Sequence, residues 1–223
     1  MSDMRIVTPK APGSVDRVAR NQYRQVAGTP EGAFFGADYL HSLAREGRIF
    51  YASPGAALNT VITGVATSFS ATTPDFTLEV PAGTTCMPLR VQLTQAGTVA
   101  GGAISVIIGI QGAVERSSAG TVFPNILSSR TDGLGVTRAC TPYTAPTVAT
   151  DTIGVRVYAG LVNANVATGV ATDNVDYQPI LTGEPLYLVG PAALKIYTWA
   201  TATAPSWLHE MAWAEIPSTD LTN

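Results

Sequence analysis

Residues that most often carry acid–base or metal chemistry are scarce and scattered in this chain of 223 residues. The two histidines, His41 and His209, have no partner at the spacing of an HxH or HExxH metal motif. His209 precedes Glu210 in a stretch with strand periodicity, and neighbouring side chains of a strand point to opposite faces. We therefore expect His209 to be a surface or interface residue.

Other motifs that would indicate a functional site are absent or incomplete. The chain has no GxSxG motif, and its Gly-rich stretch 97–102 lacks the P-loop lysine, so a hairpin turn explains it better. Asp173, Asp176 and Glu184 could cluster around calcium, but no EF-hand pattern is present and solvated loop acids fit better. We therefore predict no catalytic residue, no metal site and no cofactor, and we expect a protein that is not an enzyme.

The two cysteines, Cys86 and Cys140, are too few for a disulfide framework, and their spacing fits no zinc pattern. Small buried or half-buried thiols are the favoured interpretation. The sequence leaves open whether the two thiols pair.

Aromatic side chains are concentrated near the C-terminal end, and their role depends on whether they are buried. At strand spacing, Tyr197 and Trp199 share one face. Trp207 shares another face with Met211 and Trp213. Exposed rings of this kind stack on sugars, whereas buried rings fill a core or a subunit interface. We favour core or interface packing and keep glycan binding open.

Charge is sparse and unevenly distributed. Only 13% of the residues are charged, roughly half the usual fraction, and the mean hydropathy is +0.20. Residues 1–50 hold seven basic and five acidic side chains, whereas residues 51–223 hold six and eleven. Because so little of the body is charged, we expect much of its surface to be buried in a homo-oligomer. Neither half has the dense basic stripe that nucleic-acid binding requires, so we expect no nucleic acid on the body. A weak contact through Arg17, Arg20 and Arg24 stays open.

Nothing in the sequence predicts a targeting or membrane segment. Residues 1–10 are polar, without the apolar core of a signal peptide, and the longest apolar stretch, 103–110, is too short to span a bilayer. We expect the protein to be made in a cytoplasm and to stay soluble or assemble there.

Residues 1–50 predict an N-terminal arm with one or two short helices. Ser14 can cap a first helix that ends near Tyr23. The run 29–31, Thr-Pro-Glu, has the capping hydroxyl, early proline and acid of a second helix start. Gly47 is a natural C-cap for that helix. Its apolar face would consist of Phe35, Tyr39, Leu40 and Leu43.

Residues 51–223 predict a β-sandwich domain, because runs rich in β-branched residues alternate there with turn clusters. In 76–80 the apolar residues alternate with Thr77 and Glu79, as in a half-buried antiparallel strand. The prolines are expected at strand ends, and 112–150 reads as an irregular loop. With no alternating helices, the fold class is an all-β antiparallel sandwich. The predicted strands are 58–69, 75–80, 87–95, 103–111, 153–161, 175–181, 185–189, 193–199 and 207–216.

Two regions resemble bacteriophage virion structural proteins. Residues 75–93, DFTLEVPAGTTCMPLRVQL, contain a strand that ends in a VPAGT turn before a strand that begins PLRV. Residues 183–191, 194–199 and 210–217 look like the closing strands of such proteins. The resemblance implies a jelly-roll-like β-sandwich subunit, such as a head decoration (cement) protein that forms trimers and holds capsid subunits together. It brings no catalytic residues.

The preferred hypothesis is a non-enzymatic decoration subunit of a phage particle. It would be assembled in the host cytoplasm, located in the virion, and partnered by copies of itself and by the major capsid protein. Two alternatives stay open: a receptor- or glycan-binding fibre or tail module, and a small jelly-roll subunit of the capsid shell itself. The residues expected to anchor the arm to its partner are Arg17, Arg20, Arg24, Phe34, Phe35, Tyr39 and Leu40.

Overall fold

The computed structural model describes residues 39–55, 62–66, 68–96, 103–112, 119–147, 154–163, 174–183, 185–200 and 203–216. These ranges contain one helix, α1 (Tyr39–Arg45), and fourteen strands. The strands are β1 (Ile49–Ser53), β2 (Ile62–Thr63), β3 (Val65–Ala66), β4 (Phe76–Val80), β5 (Thr85–Gln95), β6 (Ala103–Gly112), β7 (Thr121–Val122), β8 (Asn125–Ser128), β9 (Thr141–Thr144), β10 (Val155–Asn163), β11 (Asn174–Tyr177), β12 (Leu188–Val189), β13 (Ala192–Ala200) and β14 (Ser206–Ile216).

The strands form two sheets. The first sheet has the order β11-β5-β14-β1-β8, with β12 added to β5 and β2 added to β14. The second sheet has the order β10-β6-β13-β4-β9-β7, with β3 added to β13. Apart from the parallel pair of β13 and β3, the described pairs are antiparallel. The predicted all-β antiparallel sandwich is confirmed.

Eight of these strands form a rolled-up hairpin. β1 pairs with β14, β4 with β13, β5 with β11, and β6 with β10, so the early strands run antiparallel to the late ones. The hairpin is rolled because β14 also pairs with β5 and β13 also pairs with β6. Four of these eight strands lie in each sheet, in the order β11-β5-β14-β1 and β10-β6-β13-β4. This is the strand order of a jelly roll.

The main core lies between the inner faces of the two sheets. Alternation places Phe76 and Leu78 of β4 in it, as the sequence predicts. Trp207 and Trp213 of β14 are its largest members, and both are completely buried. The ring of Trp213 stacks on Phe50 of β1, with ring centroids 5.7 Å apart.

A second, smaller apolar cluster joins α1 to the outer face of the first sheet. The fully buried Leu43 packs there, and Leu40 lies at the margin. The strand residues of this cluster include Ile49, Met87, Ala214 and Ile216. The proposed boundary between arm and body at residue 50 thus falls inside β1, with α1 packed on the sheet.

Gly47 ends α1, as predicted. Its φ of 73° is in the left-handed region, and the Gly47 and Arg48 N–H groups donate to the carbonyls of Ala44 and Leu43 at 3.0 and 2.9 Å. A Cβ at Gly47 would lie 2.6 Å from the Cα of Gly135, so no side chain fits there. The earlier helix starts, at Ser14 and Thr29, lie outside the described residues.

The observed strands differ from the predicted ones in several places. The predicted strands 175–181 and 185–189 are shorter, at Asn174–Tyr177 (β11) and Leu188–Val189 (β12). Within 58–69 the described residues hold only the two-residue strands β2 and β3. The stretch 112–150, expected to be irregular, contains β7, β8 and β9, which extend the sheets beyond β1 and β4. Pro88, expected at a strand end, lies inside β5. It pairs with Trp213 of β14, at the point where the register of the two strands shifts after Ala212. A missing N–H is tolerated at such a bulge.

We predict that Leu43→Ala lowers the free energy of unfolding by about 2–4 kcal/mol, because it leaves a cavity under α1. Leu134→Ala, at a leucine that is 70% exposed, should change it by less than about 0.5 kcal/mol. Denaturant unfolding of the two full-length variants gives both values. Equal losses would show that α1 does not contribute to the stability of the body.

Candidate functional site

The predicted arm residues divide between described and undescribed parts of the chain. Arg17, Arg20, Arg24, Phe34 and Phe35 lie outside the described residues. Tyr39 and Leu40 are the first residues of α1. Tyr39 is largely exposed, whereas Leu40 packs against the apolar cluster beneath the helix. Leu40 therefore helps to hold α1 on this chain's own sheet.

The C-terminal aromatics are mainly core residues. Trp207 and Trp213 have no exposed surface and Tyr197 almost none, while Trp199 is half-buried. The favoured interpretation, packing in a core, is correct for these buried rings. A glycan site built on exposed Trp207 or Trp213 is excluded.

His209 is buried, so its prediction as a surface or interface residue is wrong. Its side chain shares the inner face of β14 with Trp207 and Met211 and lies near Phe76, with ring centroids 6.2 Å apart. Burial lowers the pKa of His209 to about 3, which keeps the ring neutral at physiological pH. Glu210 points to the opposite, exposed face, as the alternation predicts.

A buried polar chain that the sequence analysis missed connects the two sheets. Trp207 of the first sheet donates its Nε1–H to the Thr198 hydroxyl of the second sheet at 2.8 Å. That hydroxyl donates to Asp75, which precedes β4. Because Asp75 is only 3% exposed, burial raises the pKa of its carboxyl to about 8, even though the hydrogen bond from Thr198 lowers it.

Two other buried polar groups are also hydrogen-bonded, Glu215 beside the main core and Lys195 on the outer face of the second sheet. Lys195 of β13 donates to the side chain of Gln111 on β6. The Glu215 carboxylate accepts hydrogen bonds from the Trp213 indole and from the backbone N–H groups of Ala139 and Cys140. These bonds satisfy groups that would otherwise destabilise the fold, so their role is structural.

Cys86 and Cys140 are both buried free thiols, in agreement with the favoured interpretation of the sequence. A hydrogen bond with Cys86, together with burial, raises the pKa of the Cys140 thiol. The two side chains are therefore neighbours in the core, and the raised pKa of Cys140 keeps that thiol from acting as a thiolate nucleophile.

A groove of about 560 Å³ lies over β1, β5, β8 and β14, at the outer face of the first sheet. Tyr51 and Leu127 are directly paired across β1 and β8 and are 53% and 60% exposed. Ala212 lies opposite Tyr51 on the other side, where it pairs with Arg90. The groove thus has an aromatic and aliphatic surface at one side and a charged residue at the other. Its volume is typical of a small-ligand site.

The charged side of the groove is formed by Arg90 and Glu210, and Arg90 is held in place by Asp176. Two hydrogen bonds, of 3.0 and 3.3 Å, join the guanidinium to the Asp176 carboxylate. They raise the pKa of Arg90 and lower that of Asp176, so both stay charged. This arrangement can orient a bound polar group by charge and by hydrogen bonding.

The described residues contain no group of three or more His, Cys, Asp or Glu side chains placed to hold a metal ion. Of the three acids considered for calcium, Asp176 pairs with Arg90, whereas Asp173 and Glu184 are outside the described residues. The described part of the chain also has no helix that is long and apolar enough to cross a membrane.

Comparison with known proteins gives only weak likenesses. No protein-family model and no curated protein matches the chain. Among solved structures, it is similar to the VP2 subviral particle of infectious bursal disease virus, with 12% identity and a TM-score of 0.18 over 78% of this chain and 43% of that one. It is also similar to sacbrood virus of honeybee, with 13% identity and a TM-score of 0.20 over 96% and 88%. The chain thus spans less than half of the VP2 chain, and TM-scores this low do not establish a shared fold.

We predict that stability falls with pH between 6.5 and 8 because of Asp75. Its pKa is raised from 3.8 unfolded to about 8 folded, so its contribution is complete below pH 3.8 and is lost as the pH rises towards 8. The slope is about 1.4 kcal/mol per pH unit. Below pH 6.5 the lowered pKa of His209 acts in the opposite direction, so the window from 6.5 to 8 isolates Asp75.

The measurement is the free energy of unfolding at several pH values for the wild type, Asp75→Asn and Asp176→Asn. The first variant should lose the slope, and the second should keep it, since Asp176 is exposed and ionised throughout. An unchanged slope in Asp75→Asn would refute the assignment.

Proposed function

We propose that the chain is a non-enzymatic structural subunit of a virus particle, and more narrowly a decoration (cement) subunit of a bacteriophage head. It would act as a homo-oligomer, with a trimer as the expected form, and bind the major capsid protein. Its location would be the virion, after assembly in the host cytoplasm.

The observation that carries the proposal is the exposed apolar surface of a protein with few charges. Tyr51, Leu127 and Leu161 are each more than half exposed, although they lie on strands and not on loop tips. Only 13% of the chain is charged. Exposed apolar surface of this kind is typical of faces that other protein covers.

The fold and one sequence segment add support. Jelly rolls occur in viral capsid proteins and in lectins, but a fold alone does not assign a function. The segment that resembles phage virion proteins forms β4, the turn after Pro81, and β5, so it is where the chain crosses from the second sheet to the first. Gly83, with a φ of 79°, provides the left-handed residue of that turn.

The acid–base groups of the described core support a non-enzymatic role. Asp75 and Glu215 are bonded inside the sandwich, and His209 is buried among apolar side chains. Groups held in this way cannot reach a substrate from outside.

We predict that the arm residues outside the described region carry particle binding. Two full-length variants test this: Arg17→Gln with Arg20→Gln and Arg24→Gln, and Phe34→Ser with Phe35→Ser. Each should lower cosedimentation with phage heads stripped of this subunit by tenfold or more, because many weak contacts are multiplied by the symmetry of the head.

Arg130→Gln is the matched control in the body, since the ion pair of Arg130 with Asp132 is local and such pairs contribute little. Its guanidinium also donates to the Arg45 carbonyl at the end of α1, so thermal unfolding checks that this variant keeps the wild-type fold. If both arm variants bind as well as the control, the arm is not the anchor. If the wild type also fails to bind, the decoration role is wrong. Closed shells formed by the chain alone, seen by electron microscopy, would favour the capsid-shell alternative.

A second candidate function, binding of a neutral carbohydrate, is favoured by the groove. Tyr51 offers an exposed ring for stacking, and Arg90 and Glu210 offer hydrogen bonds at the other side. A glycan array should then give binding that Tyr51→Ala weakens by tenfold or more and Leu134→Ala leaves unchanged. An array without any signal for the wild type would eliminate this candidate.

A further inference from the structure

We propose that β10 pairs with β10 of a second copy of the chain, so that the second sheets of two copies form one continuous antiparallel sheet about a two-fold axis. The inference rests on the self-association in the proposed function but does not require a virus particle. Its two-fold contact is separate from the interface of the expected trimer and would join two copies whether or not each also belongs to a trimer. It names the contacting strand and the residues that face each other.

β10 is the long edge strand of the sandwich. It has nine residues and pairs on one side with β6, and no described strand pairs with its other side. Within the described part of the chain, one row of backbone N–H and C=O groups on β10 therefore pairs with no other strand. That row can accept a strand from another chain. Long, flat edges of this kind add strands from other chains unless they are protected.

The other edges in the described region are protected. β8 has four residues and follows Pro124. β11 also has four, includes the charged Asp176 and is followed closely by Pro179. β7 has only two residues. Short length, proline and charge are the devices that keep edge strands from pairing.

β10 lacks these devices over most of its length. It contains no proline, and its one charged residue, Arg156, lies before a register shift between Arg156 and Tyr158. This bulge interrupts the first part of the edge, while residues 158–163 are uncharged and pair with β6 without a break. Leu161 is 75% exposed on this straight part.

The straight part of β10 is complementary to itself. A two-fold axis at Gly160 places Ala159 opposite Leu161 on the solvent face, and Tyr158 opposite Val162 on the core face. No like charges meet in this register, and each apolar residue faces another. Because an identical strand fits in both backbone and side chains, the partner of stated chemistry is a second copy of this chain.

The first test is the mass of the full-length chain by sedimentation equilibrium, with Leu161→Lys and the matched variant Leu134→Lys. Leu134 is a similarly exposed leucine that lies outside the strands and outside the groove. Leu161→Lys should weaken self-association by tenfold or more, because it brings two lysines together near the axis, whereas Leu134→Lys should not. Thermal unfolding checks that both variants fold.

The second test is disulfide trapping between two variants that each carry one added cysteine, Ala159→Cys and Leu161→Cys. Under mild oxidation, a mixture should cross-link several-fold more than either variant alone, because residue 159 of one copy faces residue 161 of the other. The native Cys86 and Cys140 are fully buried and do not compete.

The outcomes separate this inference from the proposed function. An oligomer, such as a trimer, that survives Leu161→Lys and shows no enrichment of mixed cross-links would overturn the β10 contact alone. A wild type that stays monomeric at high concentration would overturn both the contact and the proposed self-association.

Discussion

Burial of apolar side chains between the two sheets holds the structure together, and the tryptophans of β14 are at its centre. Trp213 stacks on Phe50 within the first sheet, and Trp207 reaches across to Thr198 of the second. The apolar contacts supply most of the stability but have little directional preference. The chain from Trp207 through Thr198 to Asp75 has directional requirements, so it favours one alignment of the sheets over others.

Because the inner faces of the sheets are used for this core, contacts with other molecules must be made by the outer faces and the edges. On the first sheet, α1 covers the area around Ile49 and Ala214. Tyr51 and Ala212, the next pair on the same face of these two strands, are left beside the open groove. The end of α1 at Gly47 therefore determines where covered surface gives way to a surface that can bind.

Sequence alternation predicted the fold class well, because the long strands carry it clearly. It missed β7, β8 and β9, because strands of two to four residues are too short to show an alternation of apolar and polar residues, and β9 also contains Pro142. For His209 the signal was present: it shares the odd-numbered positions of β14 with Trp207, Met211 and Trp213, so alternation alone predicts burial. The prediction of a surface or interface position followed the residue type, histidine, and not this alternation. The groove could not be predicted, because four strands distant in the chain form it.

Sparse charge has opposite consequences at different places on this molecule. It helps assembly, since a face without charges can be covered with little loss of hydration, but it removes the usual protection against uncontrolled strand pairing. The chain limits that risk with Pro124, Pro179 and Asp176 at its short edges. At β10 it has one charge and a bulge at the beginning of the strand, followed by an unprotected stretch. An edge that is protected at one end and open at the other restricts pairing to a single segment, and this is why we assign β10 to a specific contact and not to general aggregation.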